Sequence, residues 1–267
     1  MISYSELAKN KPQPMQIIDL SKTIEYKKED PWFMRIKVKN KAHKKGGILI
    51  KYFLKLPKRL FPKNFQGWAD DKIYGMGVHS TTHIDAPWHY SPIVEGKPAK
   101  TIDQVPLEWL YGPGVVIDMS HKPDYEEITV RELQDDLAKS EATLSPGTIV
   151  LIRTDRDQLS GNDFVEKGTG MSKAATEWLI DQGVKVMGID QWGWDLPLKY
   201  MVQQAKATNN PDLFWQAHLV GREKEYLHME QLTNLKALPS HGFKVAVFPL
   251  KIKGASAAPA RVVGIIE

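Results

Sequence analysis

The order of apolar and polar positions predicts a chain in which short strands alternate with helices. Continuous apolar runs at residues 114–118, 148–152 and 184–189 are typical of strands that are buried on both faces. Apolar segments bounded by turn residues predict the remaining strands, at residues 16–20, 48–56, 245–249 and 262–266.

Two helices are predicted from their capping residues as well as from their apolar spacing. Residues 129–139 open with Thr129 and Glu132, the spacing of a capping box, and carry an apolar stripe. Residues 172–182 begin at Ser172, a favourable amino-terminal cap. Strands that alternate with helices in this third of the chain favour βαβ units and a partly parallel sheet. Weaker helical patterns are found at residues 198–208 and 212–220, and a glycine-rich loop at 161–170.

The organisation of the chain indicates one domain. Its 267 residues are enough to bury a full core, and no internal repeat, low-complexity tract or linker divides them. We therefore expect a single domain over residues 1–267. Residues 22–47 are polar and rich in lysine, which favours a hairpin or lid over a part of the core.

The positive charge of the chain is concentrated. The net charge is +4 and the pI is about 8.9, with lysine clusters at residues 37–45 and 51–63. Nucleic-acid binding would need such lysines within a known module with stacking aromatic residues, and no such module is visible. A solvated face or mobile flap is the better interpretation, and a basic surface could still attract an anionic substrate.

Composition restricts the chemistry that is available. The chain has no cysteine, so disulfides, thiolate metal sites and cysteine nucleophiles are excluded, and any metal must be held by nitrogen and oxygen. Residues 1–9 lack the apolar core of a signal peptide, and no run reaches the length of a membrane span. We therefore expect a cytoplasmic protein that does not associate with membranes.

One stretch, His79-Ser-Thr-Thr-His-Ile-Asp-Ala-Pro-Trp-His89, holds an unusual density of reactive side chains. His79, His83, Asp85 and His89 all occupy odd-numbered positions, and imidazole and carboxylate groups bind divalent metals or move protons near neutral pH. A strand with one buried histidine and two exposed ones is the structural alternative. Such a strand face would be a poor core and an unusual surface, so the cluster favours a functional site.

The local backbone is predicted to be extended and bent. Val78, Thr81 and Thr82 are β-branched, and a helix would be broken by Pro87. A straight strand would place Cα atoms four residues apart at a separation of about 13 Å, too far for a shared metal. We therefore expect a bend or bulge at residues 80–82, after which Pro87 ends the segment and turns the chain back toward the site.

The stretch resembles the signature of the metal-dependent cyclase family, which includes kynurenine formamidase and isatin hydrolase. That signature reads His-x-Gly-Thr-His-x-Asp-x-Pro-x-His, and the chain departs from it at Thr81, where the family usually has glycine. The resemblance continues at residues 19–21, 152–154 and 188–190, and in His218 followed twelve positions later by Glu230. It implies an α/β fold with a mixed β-sheet core of the swivelling β/β/α type, with peripheral helices and a basic amino-terminal insert.

The resemblance also implies roles for individual residues. His79, His83 and Asp85 resemble the ligands of a first metal ion. His218 and Glu230 resemble a second pair, with Asp85 bridging if two ions bind. One or two divalent ions, zinc or manganese, are implied, and His89 is implied as the general acid and base. The family commonly forms homodimers or homotetramers.

Four further residues are candidates for binding a small-molecule substrate. Trp88, Trp192 and Trp194 could line an apolar pocket for a flat or cyclic compound, although Trp192 and Trp194 could equally pack in the core. Arg153 could pair with a substrate carboxylate or with a structural acid. Asp190 and Asp195 are expected to orient neighbouring groups. The remaining histidines lack a partner pattern and are interpreted as structural: His43, His121, His228 and His241.

These features lead to one main hypothesis and two alternatives. The main hypothesis is a metal-dependent hydrolase that cleaves the C–N bond of an amide, formamide or cyclic amide, with metal-activated water and His89 as acid and base. The same ligands could serve a lactone hydrolase, or a lyase or dehydratase acting on a carbonyl compound. A non-catalytic metal-dependent binding protein is the third possibility, but such a protein has no use for the imidazole of His89.

Overall fold

The structure, a computed structural model, describes residues 14–267. The amino-terminal residues 1–9, expected to lack a signal peptide, lie outside the described part. Fourteen strands are found in the described residues: β1 (Gln16–Asp19), β2 (Lys37–Lys39), β3 (Lys72–Tyr74), β4 (His83–Asp85), β5 (Ile93–Val94), β6 (Lys97–Pro98), β7 (Tyr111–Asp118), β8 (Glu127–Ile128), β9 (Ile149–Arg153), β10 (Gly170–Met171), β11 (Val186–Ile189), β12 (Leu227–Glu230), β13 (Phe243–Pro249) and β14 (Ala257–Ile266).

Seven of these strands close into a mixed β-barrel. The order β14-β13-β7-β9-β11-β12-β4 returns to β14 because its first residues pair with β4. The pairs β7–β9, β9–β11 and β11–β12 are parallel, and the other pairs of the ring are antiparallel. The last residues of β14 pair with β1, which lies outside the ring. The chain therefore has a mixed α/β fold, with the predicted partly parallel sheet closed on itself.

Six α-helices are found in residues 14–267: α1 (His43–Phe53), α2 (Pro87–Tyr90), α3 (Val130–Ser140), α4 (Gly161–Glu166), α5 (Lys173–Asp181) and α6 (Leu198–Thr208). The capping box of Thr129 and Glu132 is formed in both directions at the start of α3, as predicted. The hydroxyl of Ser172 accepts a hydrogen bond from the backbone N–H of Ala175 and caps α5, also as predicted. In the described chain, no helix has both the length and the apolar character needed to cross a bilayer.

Strands β9 and β11 and the apolar part of β7 are buried on both faces, which explains their continuous apolar runs. One cluster of buried side chains takes residues from every strand of the ring and therefore fills its interior; Ile84, Val116, Leu151 and Met229 belong to it. A second cluster lies between the outer face and the helices, and contains Ile117 with residues of α3 and α5. Because side chains alternate along a strand, the neighbours of Ile84 and Met229 project outward from the barrel.

Three local predictions are wrong. Residues 212–220 do not form one helix, because the short 3₁₀ helices Pro211–Leu213 and His218–Arg222 are separated by a non-helical segment. Residues 48–56 are not a strand, because α1 occupies most of them. Tertiary packing overrides the local pattern there: a Cβ on Gly46 would lie 1.9 Å from the carbonyl oxygen of Trp68, so the glycine lets the helix approach that segment closely. The glycine-rich segment 161–170 is not wholly a loop, since it contains the short helix α4.

The contacts group the chain into two compact units, one of residues 23–77 and one of residues 14–22 with 78–267. The first unit contains α1 and the antiparallel pair of β2 with β3. It carries 14 lysines and arginines against 5 aspartates and glutamates, so the positive excess of the chain lies here. The second unit contains the barrel and all the predicted site residues. The expectation of one domain over residues 1–267 stays a prediction, as does the lid.

Candidate metal centre

The predicted bend is formed at the start of β4. Thr81 has a φ of 56°, in the left-handed region that β-branched residues rarely adopt. Strand β4 then begins at His83 and ends at Asp85, and α2 begins with Pro87 at its first position. This path turns the chain so that Nε2 of His89 lies 3.6 Å from Oδ2 of Asp85. The bend therefore brings the odd-numbered side chains of the motif to one place.

The motif residues form a first group of potential ligands. Nδ1 of His79 lies 2.8 Å from Oδ1 of Asp85, and Nε2 of His83 lies 3.3 Å from the same oxygen. These three side chains each offer an atom within 4.8 Å of the others. His83 and Asp85 are fully buried, whereas about a third of the His79 side chain is exposed. The first group is therefore reached from solvent on the His79 side.

A second group shares Asp85 with the first. It consists of Asp85, His218, His228 and Glu230, all buried and within 4.8 Å of one another. Strand pairing creates much of it, because β12 aligns His228 with Asp85 and Glu230 with His83 across the antiparallel ladder. The two oxygens of Asp85 face different groups: Oδ1 faces His79 and His83, and Oδ2 faces His228 at 3.3 Å and His218 at 4.0 Å.

Each imidazole of the two groups is oriented through its other ring nitrogen. Nε2 of His79 lies 3.0 Å from the hydroxyl of Ser256, and Nδ1 of His83 lies 2.8 Å from the carbonyl oxygen of Thr81. A second hydrogen bond of this kind fixes both the ring and its tautomer, as is usual for histidines that bind metals. In the same way, Nδ1 of His218 lies 2.5 Å from Oδ2 of Asp195, and Nδ1 of His228 lies 3.0 Å from the Tyr90 hydroxyl.

Charge shifts the protonation of these groups strongly. Burial acts to lower the pKa of His83, but Asp85 and Glu230 outweigh it and raise that pKa to about 9. In the same way Asp195 and Glu230 outweigh burial and raise the pKa of His218 to about 10. Burial would raise the pKa of the Asp85 carboxyl, yet the surrounding imidazoles hold it well below its usual range. The Asp85 carboxyl is therefore ionised, and the imidazoles of His83 and His218 beside it are protonated at pH 7.

His89 differs from the other imidazoles of the motif. Burial is the largest influence on it and, with the neighbouring histidines, lowers its pKa to about 4 against the opposing effect of Asp85. Its ring lies 4.2 Å from the ring of His79 and 5.2 Å from that of Trp215. A neutral imidazole at the edge of the two groups can accept a proton at pH 7.

The donor set fits a divalent cation. His83 Nε2, His228 Nε2 and both carboxylate oxygens of Asp85 are buried and have no hydrogen-bond partner of acceptable geometry within residues 14–267. An unsatisfied buried polar atom costs about 1–3 kcal/mol, and two ionised oxygens without partners cost more. Imidazole nitrogens and carboxylate oxygens converging on a small space are the ligands of zinc and manganese sites. The second unit of the chain thus contains residues that could hold one or two such ions.

A cavity of about 400 Å³ opens onto both groups. His79, Asp85, His89, His218 and Glu230 form its polar floor. Apolar and aromatic side chains form much of the remaining wall, among them Trp192, Leu196, Met201, Phe214 and Trp215. An apolar cavity with a few convergent polar groups is the usual form of a small-molecule site.

The candidate substrate residues are placed differently. Trp192 lines the cavity, whereas Trp194 is fully buried and donates its indole N–H to Thr176. Trp88 is 44% exposed and lies outside the cavity lining. Arg153 also lies outside that lining, and forms bidentate hydrogen bonds with Asp155 as well as one with Asp118. Trp194 and Arg153 therefore have the partners expected of structural residues: Thr176 for the tryptophan, and acidic side chains for the arginine.

Asp190 and Asp195 orient neighbouring groups, as expected. Asp195 accepts hydrogen bonds from the backbone N–H groups of Ala217 and His218 as well as facing the His218 ring. Asp190 accepts hydrogen bonds from Thr154 and from the backbone of Asp155. Neither carboxylate belongs to the two groups of ligands that share Asp85.

Sequence reasoning missed two residues of this site. His228 was interpreted as structural, although it lies two positions before Glu230 and therefore projects from the same face of β12. The two-residue spacing of His228 and Glu230 is the feature of the sequence that indicates a shared site. Trp215 stacks on His218 with ring centroids 4.4 Å apart and has a φ of 60°. No sequence pattern indicated that contact, because it depends on how the loop before His218 folds.

Comparison with known proteins identifies the family. The model of the family described as "Putative cyclase" matches residues 18–196, more than half of the chain. The chain belongs to the cyclase family. The predicted resemblance is therefore confirmed, and it includes the whole motif from His79 to His89.

Two relatives align with most of this chain and with most of their own length. The isatin hydrolase of Roseibium aggregatum is 26% identical over 205 residues, which cover 72% of this chain and 73% of the relative. The kynurenine formamidase of Salinibacter ruber is 26% identical over 189 residues, which cover 70% and 76%. Among solved structures, isatin hydrolase A from Ralstonia solanacearum has a TM-score of 0.70 at 23% identity and covers 98% of this chain and 95% of its own. The α/β fold is that of cyclase-family structures.

Proposed function

We propose that this cyclase-family protein is a divalent-metal-dependent hydrolase that cleaves the C–N bond of an amide, formamide or cyclic amide. The observation that carries the proposal is the sharing of Asp85 between two groups of nitrogen and oxygen ligands, with the imidazole of His89 beside them. The names of the relatives, isatin hydrolase and kynurenine formamidase, support the same reaction class.

The ligand residues divide into two sets in this proposal. His79, His83 and Asp85 would hold one ion, and His218 and Glu230 would hold a second, with Asp85 shared. Zinc and manganese both suit these ligands. A divalent ion supplies Lewis-acid polarisation of a carbonyl oxygen and lowers the pKa of water toward neutrality. The buried carboxylates of Asp85 and Glu230 balance its charge.

His89 is the acid and base of the proposed reaction. With a pKa of about 4 its imidazole is neutral at pH 7, so a ring nitrogen can accept the proton of the attacking water and later donate it to the leaving nitrogen. The ring is held against His79 and Trp215, which limits its rotation. His89 therefore acts first as a base toward water and then as an acid toward the leaving nitrogen, with the same proton.

The cavity wall completes the proposed site. Trp192, Phe214 and Trp215 offer apolar aromatic surface for a flat or cyclic substrate. This surface also excludes water from the reacting carbonyl, which strengthens the electrostatic effect of the charged floor. We include Trp192 in the binding site on this ground. Trp88, Trp194 and Arg153 lie outside the cavity lining, so they have no contact with the substrate in this proposal.

The test is metal analysis combined with a substrate panel. Purified protein is stripped with a chelator, reloaded with zinc or manganese, and assayed on N-formyl, lactam and imide compounds beside matched lactones. We expect turnover of at least one C–N substrate, loss of it on stripping and recovery on reloading. In ¹⁸O-labelled water the product acid must carry the label, because hydrolysis adds the oxygen of water. Full activity in a metal-free sample, or turnover of lactones alone, would contradict the proposal.

We further propose that the protein works in the cytoplasm on a small molecule, as a homodimer or homotetramer, without binding nucleic acid or membranes. Family resemblance supports the assembly and the swivelling β/β/α type of the core. Light scattering coupled to size-exclusion chromatography measures the assembly directly. A monomer at micromolar concentration would contradict this part of the proposal and leave the proposed reaction untouched.

A further inference from the structure

His228 lies among the metal-binding candidates yet has no role in the mechanism described above. It projects from the outer face of β12 next to Asp85 on β4, and it is completely buried. Its Nε2 lies 3.3 Å from Oδ2 of Asp85 and 3.3 Å from Oε1 of Glu230. That nitrogen has no hydrogen-bond partner of acceptable geometry in the described residues. Two carboxylates and a buried imidazole thus face one another without bonding.

Three separations among these atoms match the edges of a coordination tetrahedron, and a fourth, from Nε2 of His218 to Oδ2 of Asp85, is longer at 4.0 Å. Zinc binds imidazole nitrogen and carboxylate oxygen at about 2.0–2.1 Å, so neighbouring ligand atoms of a tetrahedral site lie about 3.3–3.4 Å apart. Nε2 of His218 lies 3.4 Å from Oε1 of Glu230, and the two distances from His228 are both 3.3 Å. Direct ion pairs between such groups would be shorter, at about 2.7–2.9 Å. The spacing therefore suits four ligands around a central cation.

The ring of His228 is held rigidly in this position. It stacks on Trp194 with centroids 5.2 Å apart and an interplanar angle of 11°, and on Tyr90 with centroids 5.3 Å apart and an angle of 30°. The Tyr90 hydroxyl, 3.0 Å from Nδ1, engages the ring nitrogen that points away from the carboxylates. A ring that stacks on two aromatic side chains and is bonded through one nitrogen presents the other nitrogen at a fixed point, as metal ligands require.

We propose that His228 is a metal ligand and that it completes a four-ligand site with Asp85, His218 and Glu230. The first group would then have three protein ligands and the second would have four. Three ligands leave a position open for water or substrate, as in catalytic zinc sites, whereas four protein ligands close the coordination sphere, as in structural ones. The second ion would consequently bind more tightly and exchange more slowly than the first. The inference rests on the metal-binding part of the proposed function and is independent of the reaction.

The experiment compares His228→Phe with the wild-type protein and with His121→Phe, the same change at an exposed histidine that belongs neither to the cavity lining nor to the ligand groups. Phenylalanine preserves an aromatic ring that can stack on Trp194 and Tyr90 but offers no ligand. Stripped protein is titrated with zinc against a competing chelator, and bound metal is counted by elemental analysis. In the wild type we expect one tight and one weaker equivalent, with fast removal of only the weaker ion by chelator.

His228→Phe should weaken the tight equivalent at least about 10- to 100-fold, because loss of even an indirect partner has effects of that size. His121→Phe should leave both equivalents unchanged. An unchanged tight equivalent in folded His228→Phe would overturn the proposal. Binding of two ions without turnover of any compound on the panel would overturn the proposed reaction and leave this inference standing.

A measurement on the wild type covers the case in which His228→Phe does not fold. In a crystal structure of the zinc-loaded protein with anomalous scattering, Nε2 of His228 should lie about 2.0–2.1 Å from one ion. An ion bound to Asp85, His218 and Glu230 but more than about 3 Å from His228 would overturn the proposal, since bonding distances vary by only about 0.2 Å.

Discussion

The carbonyl oxygen of Thr81 lies 2.8 Å from Nδ1 of His83, so the residue at the bend orients the imidazole two positions later. Thr81 makes this contact from a left-handed backbone conformation, with a φ of 56°. A β-branched residue in that conformation is strained by about 1–2 kcal/mol. The cyclase family usually has glycine at this position, and glycine adopts the same conformation without strain.

Thr81→Gly should therefore stabilise the protein modestly. Relief of strain exceeds the added entropy of glycine in the unfolded chain, about 0.5–1 kcal/mol, so we expect a net gain of up to about 1 kcal/mol. Denaturant unfolding of metal-loaded protein measures it. Thr81→Val, which keeps the β-branch, is the matched control and should show no gain. A clear loss of stability in Thr81→Gly would mean that the threonine side chain, rather than the backbone, determines the bend.

His89→Ala should separate catalysis from metal binding. Removal of a positioned acid and base costs about 10²–10⁴ in kcat, whereas the ligand groups that share Asp85 remain intact. We expect unchanged metal content and a loss of turnover in that range. His43→Ala, in the other compact unit, is the control and should retain full activity. If His89→Ala kept wild-type turnover, a group other than His89 would be the acid and base.

The stability of the metal-free protein should fall as the pH rises above neutrality. His83 and His218 have folded pKa values raised to about 9 and about 10, against an unfolded value near 6.5. Their contribution is fully present below pH 6.5 and is lost as the pH rises through the folded pKa values. Each proton changes the free energy of unfolding by up to about 1.4 kcal/mol per pH unit.

Denaturant unfolding of chelator-stripped protein between about pH 6.5 and 9.5 tests this dependence. His89 is neutral in the folded state throughout that window, because its folded pKa is about 4, and above about pH 7.5 it is neutral in the unfolded state as well. Zinc-loaded protein is the control, since a bound cation replaces the protons and should abolish the downward slope. A metal-free protein whose stability rises over the window would show that the two imidazoles are neutral when folded.

Truncation of two nearby tryptophans should have different effects: one should mainly lower stability, and the other should mainly raise KM. Trp194 is fully buried and bonded to Thr176, so Trp194→Ala should cost about 3–5 kcal/mol of stability. Trp192 lines the cavity and is partly exposed, so Trp192→Ala should cost about 1 kcal/mol or less and mainly raise KM. Thermal unfolding and steady-state kinetics of both variants are compared. Equal stability losses would place Trp192 in the core.

Interactions between residues close together in the sequence make several features of this protein predictable. The capping box at Thr129 and the cap at Ser172 depend on neighbours within one helical turn, and both are formed as expected. The turn at Pro87 likewise follows from the backbone preference of that residue alone. Such features need no distant contact, so the sequence determined them.

Other features depend on residues that are remote along the chain. Helix α1 occupies residues for which the local pattern predicts a strand. Gly46 of this helix packs against the backbone of Trp68. The barrel closes because β14 pairs with β4, which no local pattern specifies. Neither contact leaves a periodic signal in the sequence, since each depends on where a second segment arrives.

The motif by itself determined that His79, His83, Asp85 and His89 would converge, because one bend in a short segment brings them together. Only the tertiary structure decided what they converge with. The antiparallel register of β4 and β12 places His228 opposite Asp85, and stacking on Trp194 and Tyr90 holds it there. Register is a property of two strands paired through a folded core, so an isolated histidine in the sequence carries no sign of it.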